Sequence, residues 1–236
     1  MMVPFAIPRA RYVHKILSEN GCSQNAKVLD LGCGIGLVAE EMTKQGYAVT
    51  GVDPGEQTIA LAKAYAAEAG LAIDYRVGPG ENLPAESHGY DAVYSLDVLE
   101  HVDDLNKVAS EITRVLKPGG LFVFDTINRT LASWLVVLKI MQDWPITSIM
   151  PPNLHEWRRL VRPSELRTAL LNNGLTPKEF VGMKPRGNPL KLLSLLRQRK
   201  RGSINYAQVV KYVADRLEFR GSTAISYAGW ASRGLS

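Results

Sequence analysis

Short apolar runs alternate with longer amphipathic stretches along the first half of the chain. AKVLDLG, YAVTGVD, AIDYRVG, YDAVYSL and GLFVFDTIN are compact, apolar and bounded by turn-forming residues, as buried strands are. GLVAEEMTKQG, EQTIALAKAYAAEAG and DLNKVASEITRVLKPGG repeat their apolar positions at helical spacing, the last with a stop signal in Lys-Pro-Gly-Gly. A helix is also expected within residues 1–24. Strands that alternate with helices of this length predict an α/β fold, a doubly wound and mostly parallel sheet. Ligands of such sheets sit at the carboxyl ends of the strands, near the switch point. Past about residue 128 the pattern changes. RTLASWLVVLKIMQDWPITSIMPPN is apolar, aromatic and broken by proline, and residues 129–161 are expected to form an inserted lid. Residues 184–221 read as a basic insertion near the C-terminus. No repeat or low-complexity segment interrupts the chain, so residues 1–236 are expected to form a single domain.

The formal charge of +5 conceals an asymmetry. Residues 1–157 hold 12 Lys/Arg and 19 Asp/Glu, a net −7, whereas residues 158–236 hold 16 and 4, a net +12. A basic C-terminal third suits an anionic membrane surface, a nucleic acid or simply solvent. No apolar run is long enough to span a bilayer, and MMVPFAIPRARYV lacks the apolar core and cleavage site of a signal peptide. The two cysteines, Cys22 and Cys33, give no disulfide framework and fit a reducing cytoplasm.

Candidate chemistry begins with VLDLGCGIG, residues 28–36. Gly32, Gly34 and Gly36 follow a strand that ends on Asp30, and Asp53 closes the next strand 21 residues beyond Gly32. Glycines permit close approach and a tight turn, and an acid at this distance is the usual partner of ribose hydroxyls. The pattern serves a dinucleotide or S-adenosylmethionine. Because the loop is one residue tighter than Gly-x-Gly-x-x-Gly and begins beside an acid, S-adenosylmethionine is the better fit. Glu81 and Asn82, after the third strand, stand where an adenine edge would lie.

SLDVLEHVDD follows the fourth strand. Asp97, Glu100 and His101 lie at i, i+3 and i+4 and would share one face of a short helix. They suit a divalent cation such as Mg²⁺, an acid/base cluster, or a plain helix start capped by Asp97 with His101 packed behind the cofactor. His14 and His88 read as surface or local-packing residues.

Taken together, VLDLGCGIGLVAEEMTKQGYAVTGVDPGEQTIALAKAYA, LDVLEHV and LKPGG resemble a class I S-adenosylmethionine-dependent methyltransferase. DTINRTLASWL and MPPNLHEWRRLVRPSEL resemble, more narrowly, the ubiquinone-biosynthesis O-methyltransferases. The resemblance implies a Rossmann-like, seven-stranded sheet and cofactor contacts from Arg9, Gly32, Asp53 and Leu96. It implies a metal site at Asp97, Glu100 and His101, and it matches His155 to a family histidine. The implied activity is methyl transfer to a hydroxyl of a small aromatic acceptor such as a polyprenyl catechol or hydroquinone of quinone biosynthesis, with N-, O- or C-methylation of a soluble secondary metabolite as the alternative. A phenol ionises near pH 10 and needs a base or a cation at neutral pH. His101, His155 and Glu100 are the candidates. A nucleic-acid acceptor is not expected, since no Asn/Asp-Pro-Pro-aromatic motif or Pro-Cys nucleophile occurs. The intact glycine loop argues against a non-catalytic binding protein.

One further expectation concerns the membrane. Trp134, Leu135, Val137, Leu138, Met141 and Trp144, together with Leu192, Leu193, Leu195 and Leu196 beside Arg197, Arg199, Lys200 and Arg201, combine an apolar face with a basic cluster. This suits peripheral attachment to the inner face of a membrane, or a lid with its leucines in the core.

Overall fold

A computed structural model describes residues 5–144, 148, 150–151, 153–187 and 189–235. The side chains of Pro189, Leu193 and Tyr206 lie outside the description, as do residues 145–147, 149 and 152 of the expected lid.

The alternation read from the pattern is the fold. α1 (Ala6–Glu19) is followed by β1 (Lys27–Leu31), α2 (Leu37–Lys44), β2 (Ala48–Asp53), α3 (Glu56–Glu68), β3 (Asp74–Val77), β4 (Tyr90–Leu96), α4 (Leu105–Val115) and β5 (Leu116–Ile127). These five strands are parallel. Lys117–Gly120 does not lengthen α4. It joins an irregular start of β5, where the register slips between Tyr90 and Ala92. Val28, Leu29, Val93 and Val123 are fully buried, each contributing about 1.5–3 kcal/mol by leaving water. α1, α2 and α3 share one apolar cluster on one face of the sheet, and α4 shares another.

The second half adds α5 (Leu131–Ser133), which continues as a π-helix over Trp134–Asp143, and a 3₁₀ turn at Trp157–Arg159. α6 (Pro163–Asn172), β6 (Leu175–Pro185), α7 (Pro189–Lys200), α8 (Tyr206–Ala214), β7 (Leu217–Phe219) and β8 (Ser226–Arg233) complete the chain. The sheet order is β3-β2-β1-β4-β5-β8-β6-β7, so it has eight strands rather than seven. The extra strand has a simple cause. The long β6 outlasts its antiparallel pairing with β8, and Met183–Pro185 pair with Leu217–Phe219 of the basic insertion.

The order of strands along the sheet reverses between β1 and β4, which are parallel neighbours. The crevice at their carboxyl ends is the switch point where ligands of this architecture bind.

Candidate active site

The glycine loop leaves β1 with Gly32, Gly34 and Gly36 all at positive φ. A Cβ on Gly32 would overlap Val98, so the glycine is demanded by the protein's own packing as well as by any ligand. The same contact shows that the loops after β1 and β4 touch. Asp53 braces the loop: one carboxylate oxygen accepts from the Gly34 amide at 3.0 Å, the other from the Gly55 amide at 2.9 Å. Asp30 is buried below, where desolvation pushes its carboxyl up to about 8, with the Tyr94 hydroxyl opposing and the charge of Asp53 adding. Leu96 closes β4 half-buried. Glu81 accepts from the Asp103 amide at 3.0 Å, which ties the loop after β3 to the approach of α4, while Asn82 is exposed.

The segment after β4 is a turn and not a helix. The helix start lies further on, where Asp104 accepts from the amides of Asn106 and Lys107 and caps α4. Asp97 sits at φ +56°, and its carboxylate is engaged by Arg9 while its charge still acts on Glu100 and His101. It pairs with Arg9 at 2.5 Å, and Arg9 also donates to Asp125 at 2.8 Å. Asp125 faces Leu96 across the sheet, and its second oxygen accepts from the Asp97 amide at 2.7 Å. Burial works against the charge of Arg9, yet the two carboxylates outweigh it and hold the guanidinium ionised. Burial likewise raises the Asp125 carboxyl to about 6, with Arg9 opposing and Asp97 adding.

A further candidate group comes to this turn from the inserted segment. His155, from the inserted segment, lies over His101 with ring centroids 5.4 Å apart. One ligand atom each from Glu100, His101 and His155 falls within 4.8 Å of the others. Glu100 is 2 % exposed; its Oε2 accepts from the Thr126 hydroxyl at 2.6 Å, and its Oε1 has no partner among the described residues. His155 Nδ1 is buried and equally unpartnered among them. Burial and the charge of Asp97 push Glu100 up to about 8. Burial holds both imidazoles below their usual value, His101 with Asp97 opposing and Arg159 adding, His155 with His101 adding and Asp97 opposing.

Asp125, Thr126 and Gln142 escaped the sequence reading. The first two carried a signal, since polar residues inside the apolar run FVFDTIN must be paired when buried. Gln142 carried none. His14 and His88 are local: His14 meets the Tyr47 hydroxyl at 3.0 Å, and His88 meets Arg233. A cleft of about 1070 Å³ runs between α1, β6 and α8, but none of the cluster residues lines it.

Residues 29–124 match the family described as Methyltransferase domain. The Ubiquinone biosynthesis O-methyltransferase of Maricaulis maris is 39 % identical over 178 residues, which cover 75 % of this chain and 68 % of the relative. The chain belongs to the ubiquinone biosynthesis O-methyltransferase family. It is a class I S-adenosylmethionine-dependent methyltransferase. The protein of that name from Paramagnetospirillum magneticum is 37 % identical over 156 residues, 66 % of this chain and 61 % of the relative. The matched stretch therefore spans about two thirds of the length of these curated relatives. A solved geranyl diphosphate C-methyltransferase from Streptomyces coelicolor shares the fold, with a TM-score of 0.64 at 16 % identity over 96 % of this chain and 75 % of that one.

Proposed function

We propose that this methyltransferase acts on a phenolic hydroxyl of a catechol or hydroquinone carrying a polyprenyl tail, with Glu100, His101 and His155 as its reacting cluster. The observation that carries the reading is the convergence of these three groups beside the glycine loop, two of them with buried, unpartnered atoms. The names of the relatives supply the acceptor class.

S-adenosylmethionine, when bound, supplies the methyl group as a sulfonium electrophile. The residues present fit it: a glycine turn at the switch point, Asp53 at the end of β2 and Leu96 at the end of β4. The protein's task is to align the acceptor oxygen and take its proton. The free oxygen of Glu100 is the base the geometry favours, because Thr126 fixes the other oxygen. His155 and His101, both held below their usual pKa, stay neutral and able to pass the proton on.

The same donors fit a divalent cation, which would stabilise a phenolate. One carboxylate and two imidazoles suit Zn²⁺, Co²⁺, Mn²⁺ or Fe²⁺ better than Mg²⁺, which prefers oxygen ligands. Labelled S-adenosylmethionine should methylate a tailed catechol more efficiently than short catechols or amines. Transfer to an amine alone would overturn the acceptor class.

The membrane side of the reading rests on how the inserted segment divides. Val137 and Leu138 pack inward with Ile127 and Leu160, whereas Leu131, Trp134, Leu135 and Trp144 are exposed. α7 reaches the same segment through Arg199, which donates to the Ser148 carbonyl, and carries Arg197 and Lys200, with Arg201 just beyond. Among the described residues no helix is long and apolar enough to cross a membrane. An outward apolar face beside cations suits peripheral contact with an anionic inner leaflet, each cation adding about 1 kcal/mol. In flotation, anionic vesicles should carry the protein at low salt and neutral ones should not. A Lys200→Glu/Arg201→Glu pair should weaken binding at least about tenfold. Full solubility with anionic vesicles would sink the idea.

A further inference from the structure

We infer that Gln142 is a positioning residue that sets His155 over Glu100 and His101, so that the reacting cluster is complete only while the π-helix of the inserted segment is seated. This rests on the cluster proposed above.

The three members of the cluster are held in unequal ways. Glu100 and His101 share the turn after β4, where the His101 amide donates to the Val98 carbonyl at 2.8 Å and Thr126 grips Glu100 from β5. His155 has no such support. It lies in neither helix nor strand, between the π-helix Trp134–Asp143 and the turn Trp157–Arg159. Its backbone is held from both sides by one side chain. Gln142 Oε1 accepts from the His155 amide at 2.8 Å, and Gln142 Nε2 donates to the His155 carbonyl at 3.3 Å.

Gln142 is itself fixed. It is 6 % exposed and stands on the inner face of the π-helix with Val137 and Leu138, which pack with Ile127 and Leu160. A continuous path therefore runs from the end of β5, through the apolar seat of the helix, to the Gln142 amide and the His155 backbone. π-Helical turns are rare and are found frequently at functional sites, and this one lies beside the cluster. Spending a buried primary amide on both backbone groups of one residue satisfies four polar groups at once, and it fixes the backbone from which the imidazole projects. Groups that orient a metal or proton ligand typically change its affinity 10- to 100-fold when lost.

Gln142→Met keeps length and apolar packing and removes both hydrogen bonds. Co²⁺, read by its visible absorption and by calorimetry, is the probe. Gln142→Met should weaken Co²⁺ binding at least about tenfold in the wild-type background and change nothing further in a His155→Ala background. The His155 amide should exchange its proton faster in the variant, and affinity for S-adenosylmethionine should hold. Unchanged Co²⁺ affinity, or an equal loss in both backgrounds, overturns the inference. If the wild-type protein takes up no Co²⁺, the metal option falls, and the same cycle is read in kcat. Non-additive losses in kcat then support the clamp, and additive losses overturn it.

Discussion

Glu100→Gln is expected to lower kcat by about 10²- to 10⁴-fold while leaving the affinity for S-adenosylmethionine within about twofold of wild type. The amide keeps the size of the carboxyl and can still accept from Thr126, so the loss isolates the one free oxygen. In the wild-type protein kcat should rise with pH and level off above about 8, where Glu100 has lost its proton. Stability should move the other way. Burial raises the folded pKa of Glu100 from an ordinary 4.5 to about 8, so the folded state holds more protons across that window. The stabilisation is complete below about 4.5 and is lost as pH climbs through 8, at no more than about 1.4 kcal/mol per pH unit for this one group. Glu100→Gln should flatten the decline in Tm between pH 5 and 8 measured on metal-free protein. A variant with normal kcat, or a wild-type rate flat across pH 6–9, would remove Glu100 from the chemistry.

How far the sequence foretold this site depends on which forces placed each residue. β1, β2, β4 and β5 were legible because both faces of a parallel strand are buried, and that leaves continuous apolar runs. The glycine loop was legible because positive φ leaves a compositional mark. The Asp97-x-x-Glu100-His101 spacing was read on a helix, and local spacing alone cannot tell a helical turn from the turn that forms here. What decides between them is Asp125, 28 residues away, which accepts from the Asp97 amide. Arg9 then claims the Asp97 side chain from a helix 88 residues upstream. Removing Arg9 from that partly buried group of three would strand two carboxylates at a cost of about 3–5 kcal/mol.

His155 entered only through family resemblance, since nothing within its own stretch marks it. Its place is fixed by Gln142 and by the ring of His101, both tertiary contacts. The inserted segment shows the same limit. A run such as WLVVLKIM reads as core or as surface equally well, and the structure uses it as both, with Val137 and Leu138 inside and Trp134 and Leu135 outside. The eighth strand was hidden for another reason. Three residues of half-buried Leu-Glu-Phe carry no periodicity until β6 offers them an edge.

Gly32→Ala carries the second large expected effect. Gly32 has φ +76°, where a residue with a Cβ is strained, at a cost of order 1–3 kcal/mol. The new methyl would also overlap Val98 Cγ2 and stand 3.0 Å from Cγ1, an overpacking that typically costs about 1–3 kcal/mol more. The two together predict a loss of about 2–6 kcal/mol, a fall in Tm of roughly 4–24 °C for a chain of this size. The loop cannot shift to relieve the overlap without cost, because Gly32 and Cys33 both donate to the Val52 carbonyl and Gly34 donates to Asp53. Affinity for S-adenosylmethionine should therefore fall at least about tenfold even in folded protein. Val98→Ala placed in the same chain separates the two causes. It removes the overlap and leaves the backbone strain, so it should restore about half of the lost stability, a coupling that independent sites would not show. Calorimetric melting and cofactor titration of the single and double variants check both parts. Simple additivity would mean that Val98 is not what keeps Gly32 a glycine, and undiminished cofactor affinity would mean that the loop after β1 does not carry the cofactor.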